Sequence, residues 1–211
     1  MGEIQAILFD MDGVLIEAKD WHYEALNRSL DLFGMAIGRD EHLSTFDGLP
    51  TRDKLNILSK SRGLPRSLHN FLNGLKQQYT VELAYARCKP LFHHQYALSR
   101  LVRDGYHLAV CSNSIRSSVE LMMKLARLDS YLKFTLSNED VTQAKPHPEI
   151  YQLACQRMNL APSECLVVED NENGIKAAMA CGCPVLAVGT VHDVTYDRIQ
   201  EKMAELNREK A

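Results

Sequence analysis

Two aspartates stand two residues apart in Asp10-Met11-Asp12-Gly13, directly after the apolar run Ile7-Leu8-Phe9. Carboxylates beside a buried strand are costly to keep ionised unless cations join them. Other groups suited to that work lie far along the chain. They are Ser112 and Asn113 in "VCSNS", Lys145 in "KPHPEIY", and Glu169 and Asp170 in "VVEDNENG". Gathered in one place, four carboxylates call for a cation. Carboxylate oxygens suit a hard ion that keeps some water, so Mg²⁺ is the economical choice. Lys145 and the backbone N–H groups of the Asp-Met-Asp-Gly turn in exchange want an anion, because such turns form anion-binding nests. Cation, ammonium, hydroxyl and amides together make a cradle for a phosphoryl group.

Gathering these groups falls to the elements that precede them. Short apolar runs at 4–9, 106–111, 133–137, 165–169 and 184–188 lack clean alternation, as expected of strands covered on both faces of a parallel sheet. Helical stretches are expected between them at 93–104, 115–128, 147–159 and 173–181. Gly105 and Gly182 serve as stops, Pro148 as a first helical residue and Ser114 as a cap, and Asn171 and Asn173 cap the last of the four. This alternation predicts an α/β fold, a doubly wound (Rossmann-like) parallel sheet with right-handed crossovers. Residues just past the C-terminal strand ends of such a sheet share one crevice. Asp10, Asp12, Ser112, Asn113, Glu169 and Asp170 all occupy that kind of position, and Lys145 precedes the helix between the third and fourth strands.

Residues 16–88 break the alternation. Trp21, Leu26, Leu30 and Phe33 form a helical stripe ending at Gly34. Thr51 is placed to cap a helix carrying Leu55 and Leu58 and ending at Gly63. Leu68, Leu72, Leu75 and Tyr79 step by four, three and four. The expected organisation is an α/β core of residues 1–15 and 89–211 with a helical cap inserted at 16–88. An insertion after the first strand would overhang the ligand crevice, so a hinged lid is expected.

The 211 residues correspond to one or two domains, and 45% apolar residues suffice for a core without staples. A net charge of -3 gives no basic footprint, so no nucleic-acid partner is expected. No apolar run reaches the roughly 18 residues of a membrane span. "MGEIQAILFD" has neither the basic nor the long apolar region of a secretory signal, and Ala6 stands where a myristoylation signal wants Ser or Thr. A cytoplasmic protein without membrane attachment is expected, and a monomer is compatible with the sequence. Of six cysteines only Cys181 and Cys183 are close in sequence, no second pair has zinc-site spacing, and reduced buried thiols are expected.

Taken in order, "FDMDGVL", "VCSNS", "KPHPEIY" and "VVEDNENG" resemble the four motifs of the haloacid dehalogenase-like hydrolase superfamily, across nearly the whole chain. The chain is most similar to its phosphoglycolate phosphatase and β-phosphoglucomutase branch, which has a small helical cap. The resemblance implies Asp10 as a nucleophile that becomes an aspartyl-phosphate. It implies Asp12 as general acid and then base, with its backbone carbonyl on Mg²⁺. Asp170 would bind the metal together with Asp10, and Glu169 would be a ligand or a support behind one. Ser112 and the Asn113 amide would hold phosphoryl oxygens, and Lys145 would neutralise the phosphoryl group and Asp10. In the cap, Arg52, Lys76 and His22 are candidates for substrate contacts.

Plainer readings compete with each of these. The two aspartates could form a solvated turn, Ser112 a helix cap, Glu169 a structural acid, and Arg52, Lys76 and His22 solvated helix faces. Lys145 could be a surface lysine, although a cation at a helix start faces the positive end of the dipole and wants an anion nearby. His93 and His94 read as surface residues. The expected function is Mg²⁺-dependent hydrolysis of a small phosphate ester, a sugar phosphate or a phosphoglycolate-like acid. A phosphosugar mutase is the alternative, although "GLKQQYT" keeps one lysine where that branch has a more basic stretch. A dehalogenase would have no use for Asp12, Asp170 and a metal. A non-catalytic binding protein would have no need of both Asp10 and Lys145.

Overall fold

The computed structural model describes residues 3–208. The chain separates into two compact units, Met1–Glu17 with Lys89–Ala211, and Ala18–Cys88.

The first unit is built on a parallel sheet of β1 (Ala6–Phe9), β2 (His107–Cys111), β3 (Phe134–Leu136), β4 (Cys165–Glu169) and β5 (Val185–Ala187), in the spatial order β3-β2-β1-β4-β5. β1 is central, with Phe9 opposite Val110 on one side and Val168 on the other. Side chains alternate across the pleat. Ala6 and Leu8 therefore join Ala109, Cys111, Val167, Ile150, Tyr151 and Ala154 in one buried cluster, while Ile7 and Phe9 are buried on the other face. The order reverses at β1, which places the switch point of the doubly wound topology where Asp10 follows.

Helices α5 (Phe92–Arg103), α6 (Arg116–Leu125), α7 (Glu149–Met158) and α8 (Glu172–Cys181) pack on the sheet and α9 (Tyr196–Arg208) packs on α5, numbered after four in the second unit. Helix α9, with Ile199 and Met203 buried, has no counterpart among the expected elements. Several end assignments differ from expectation. Pro148 is the residue before α7 rather than its first residue. Ile115 precedes α6 with no side-chain cap, because the Ser114 hydroxyl points to Asp12 instead. Asn171 does cap α8, accepting from the Asn173 N–H at 2.9 Å. His94 is buried rather than on the surface, because its Nε2 donates to the Val191 carbonyl at 2.8 Å.

The second unit is all helical. It comprises α1 (Lys19–Asp31), a three-residue α2 (Arg39–Glu41) running into a π-helical turn at His42–Phe46, α3 (Thr51–Arg62) and α4 (His69–Arg87). Leu26, Leu30, Phe46, Leu55, Leu58 and Leu72 form its core. Thr51 is the first residue of α3, with the extended Pro50 at the cap position. Leu68 closes a short 3₁₀ turn ahead of α4. Gly63 ends α3 in the left-handed conformation at φ 71°, where a glycine carries no Cβ penalty. Among the described residues no helix is long and apolar enough to cross a membrane.

Candidate active site

The strand register brings distant residues to one place. The end of β1 delivers Asp10, whose N–H donates to Val168 O at 3.0 Å. The end of β2 delivers Ser112 and Asn113, and the end of β4 delivers Glu169 and Asp170. Lys145 comes from the loop between β3 and α7, after which the Lys145–Pro146 peptide is cis.

Lys145 is the hub. Its ammonium donates to Asp10 Oδ1 at 2.7 Å, to Glu169 Oε1 at 2.6 Å and to the Cys111 carbonyl at 2.8 Å. An ammonium group has three donors, and all three are used. Lys145 is 4% exposed and Glu169 1%, so these contacts are shielded from water. Burial by itself would lower the lysine's pKa, but Asp10 and Glu169 outweigh it and hold the ammonium charged above its ordinary range. Burial raises the Asp10 carboxyl well above the usual carboxylate range, and Lys145 opposes that without cancelling it.

Glu169 is saturated. Its Oε1 also accepts from the Tyr151 hydroxyl at 2.9 Å, and its Oε2 accepts from the Asp170 and Asn171 N–H groups at 3.0 and 3.2 Å. A carboxylate has about four acceptor positions, and these four donors fill them. Gly174, in the first turn of α8, makes room for this carboxylate, since a Cβ there would overlap it.

The second motif is tied in two ways. Ser114 Oγ donates to Asp12 Oδ2 at 2.9 Å, and the Ser114 N–H donates to Ser112 Oγ at 3.0 Å. The Asn113 side chain grips the lysine's own backbone, accepting from the Lys145 N–H at 3.1 Å and donating to its carbonyl at 3.3 Å. The structure thus brings together Asp10, Asp12, Ser112, Asn113, Lys145, Glu169 and Asp170.

The cap candidates belong to the helical unit. There Lys76 is buried, with Nζ 3.1 Å from His22 Nδ1. Arg52 is largely exposed, 3.5 Å from Asp53.

Sequence reasoning assigned no role to Tyr151 or Gly174, and it expected the Ser114 hydroxyl to cap a helix rather than to donate to Asp12. Tyr151 and Gly174 lie inside the quoted motifs, and their positions within them were the available signal.

Carboxylate oxygens of Asp10, Glu169 and Asp170 can all lie within 4.8 Å of one another. Four carboxylates with Asp12 included, against one lysine, leave an excess of three negative charges when all are ionised. An all-oxygen set with that excess fits Mg²⁺, a hard divalent cation. With Glu169 occupied by four donors, Asp10 and Asp170 are the side chains placed to hold it.

A doubly wound parallel sheet with acidic groups and one buried lysine converging past its central strand defines an α/β enzyme with a cation-ready centre. The chain belongs to the haloacid dehalogenase-like hydrolase family, whose model matches residues 7–188. It is 29% identical over 192 residues to a phosphorylated carbohydrates phosphatase of Thermotoga maritima, covering 90% of this chain and 87% of that protein. It is 31% identical to a pyrophosphatase PpaX of Anoxybacillus flavithermus, covering 96% of this chain and 95% of that protein. Among solved structures, a β-phosphoglucomutase from Clostridium difficile shares the fold with a TM-score of 0.83 at 20% identity, over 97% of this chain and 99% of that one.

Proposed function

We propose that this protein is a Mg²⁺-dependent phosphatase that hydrolyses a small phosphorylated metabolite through an aspartyl-phosphate on Asp10. The observation that carries the reading is the Lys145 bridge, 2.7 Å to Asp10 and 2.6 Å to Glu169. It keeps a nucleophilic carboxylate beside a permanent positive charge that an arriving phosphoryl group can share. Family membership and relatives named as a phosphorylated carbohydrates phosphatase and a pyrophosphatase support the substrate class.

In this reading an oxygen of Asp10 attacks phosphorus, and the bond to the leaving oxygen breaks. Asp12, oriented by Ser114, gives that oxygen a proton and then takes one from the water that opens the acyl-phosphate. Ser112 and the Asn113 amide receive phosphoryl oxygens, while the Asn113 side chain keeps Lys145 in register. Glu169 acts from behind, fixing Lys145 and the Asp170 turn rather than binding metal. Mg²⁺, when held by Asp10, Asp170 and the Asp12 carbonyl, supplies charge neutralisation and a template for the phosphoryl group. Arg52, Lys76 and His22 of the helical unit are proposed as candidates for substrate contacts, Lys76 and His22 already paired at 3.1 Å.

The test is a phosphate-release screen over sugar phosphates, phosphoglycolate-like acids and pyrophosphate, with Mg²⁺ and with EDTA. Release on at least one ester, abolished by EDTA and restored by Mg²⁺, supports the reading. Conversion of one hexose phosphate into its isomer without free phosphate would make the protein a mutase on the same aspartates.

A further inference from the structure

Where the end of α8 meets α7, the Sγ atoms of Cys155, Cys181 and Cys183 all lie within 4.8 Å of one another. We propose that these three thiols form a binding site for a thiophilic d¹⁰ cation of the Zn²⁺ or Cu⁺ type, with one coordination position left open.

The site is built by a helix end. Gly182 follows α8 at φ 89°, and its N–H donates to Met179 O while the Cys183 N–H donates to Ala178 O, each at 3.0 Å. This pair of bonds is a Schellman turn, available cheaply only to glycine at the left-handed position. It sets the thiols on either side of Gly182 beside Cys155 of α7. Cys155 and Cys183 have Sγ atoms 3.8 Å apart. With Zn–S bonds of about 2.3 Å, two thiolates on one tetrahedral ion stand about 3.8 Å apart, so that edge needs no rearrangement.

The donor set is all sulfur, which selects soft ions and leaves Mg²⁺ to the oxygen centre. Cys155 and Cys183 are 2% and 5% exposed, whereas Cys181 is partly open to solvent and gives an entry path. Without a cation the thiols share hydrogen bonds among themselves, and the contact with Cys155 pushes the Cys181 thiol up to about 11. Each thiol that becomes a ligand gives its proton to solvent, so binding releases roughly three protons per cation. The separation in sequence hides the site, since Cys155 lies 26 residues before Cys181 and only the C-x-C pair is visible.

The test is titration of the reduced full-length protein with Cd²⁺, a spectroscopic stand-in, and with Zn²⁺, in the absence of oxygen. The expected result is one thiolate-to-cadmium charge-transfer band saturating at one ion per chain, displaced by Zn²⁺ and unmoved by excess Mg²⁺. Asp170→Asn keeps the band. Cys181→Ser, at the partly exposed position, keeps the wild-type unfolding midpoint. Losing even an outer partner of a ligand costs about 10- to 100-fold in metal affinity, so losing this thiolate weakens Cd²⁺ binding by at least about tenfold. Absence of the band in the wild type, or a Cys181→Ser titration that overlays the wild type, overturns the proposal.

Discussion

Lys145 Nζ lies 2.6 Å from Glu169 Oε1, and the same ammonium reaches Asp10 Oδ1 at 2.7 Å. One cation therefore ties the acid that ends β4 to the acid that follows β1. The two carboxylates repel each other, and the lysine makes their proximity tolerable in a site that water does not screen. Breaking a buried ion pair by removing one partner costs about 3–5 kcal/mol, because the other charge stays buried. Lys145→Met is thus expected to lower unfolding stability in denaturant by about that amount at neutral pH. Lys145→Arg should not rescue it, since a planar fork does not reproduce three donors aimed at two acids and the Cys111 carbonyl. Because the folded-state pKa of Lys145 is raised, its contribution is fully present below the unfolded value near 10.5 and is lost only as pH rises beyond it.

Gly174→Ala tests the packing behind Glu169. Alanine is the better helix former by about 1 kcal/mol, which on its own would stabilise α8. The new Cβ overlaps the Glu169 carboxylate, however, and overpacking of this kind costs about 1–3 kcal/mol. We expect net destabilisation together with a fall in turnover, because Glu169 cannot move without releasing Lys145 or the Asp170 N–H. Measured unfolding free energy and turnover should decline together.

His94 gives a pH prediction away from the active site. Its pKa is lowered to about 4, by burial first and then by nearby His93 and His192, against the bond to the Val191 carbonyl, which raises it. The unfolded chain takes up a proton near pH 6.5 and the folded chain does not, so stability falls as pH drops from about 6.5 towards 4. A difference of this size corresponds to about 3 kcal/mol in full. Stability of His94→Gln, compared with wild type at pH 7 and pH 4.5, should show a shallower loss on acidification.

How much of this could be read from the sequence depended on distance along the chain. The five strands were visible because each is a short apolar run; β1 and β2 carry their site residues immediately after them, and β4 carries Glu169 as its last residue and Asp170 just after it. Lys145 was recognisable as a cation at a helix start, where the dipole alone disfavours it. The saturation of Glu169 was not legible, since Tyr151 lies 18 residues upstream and its hydroxyl partner depends on how α7 packs on the sheet. His94 looked like a surface residue because the carbonyl it bonds, on Val191, is 97 residues away. Ser114 looked like a cap because Ser caps helices readily, and only the fold sets its hydroxyl beside Asp12. Helix α9 went unread although Ile199 and Met203 have helical spacing, because its charged residues dominate the segment.

The central claim is that Asp10 is the atom donor to phosphorus. Its most direct measurement is acid-quenched turnover of a phosphoryl-labelled substrate, followed by peptide mapping. We predict label on the Asp10 peptide in wild type, accumulated in Asp12→Asn and absent in Asp10→Asn, which should also lose turnover. Near-normal Mg²⁺-dependent phosphate release by Asp10→Asn, or label on any other residue, would contradict the account.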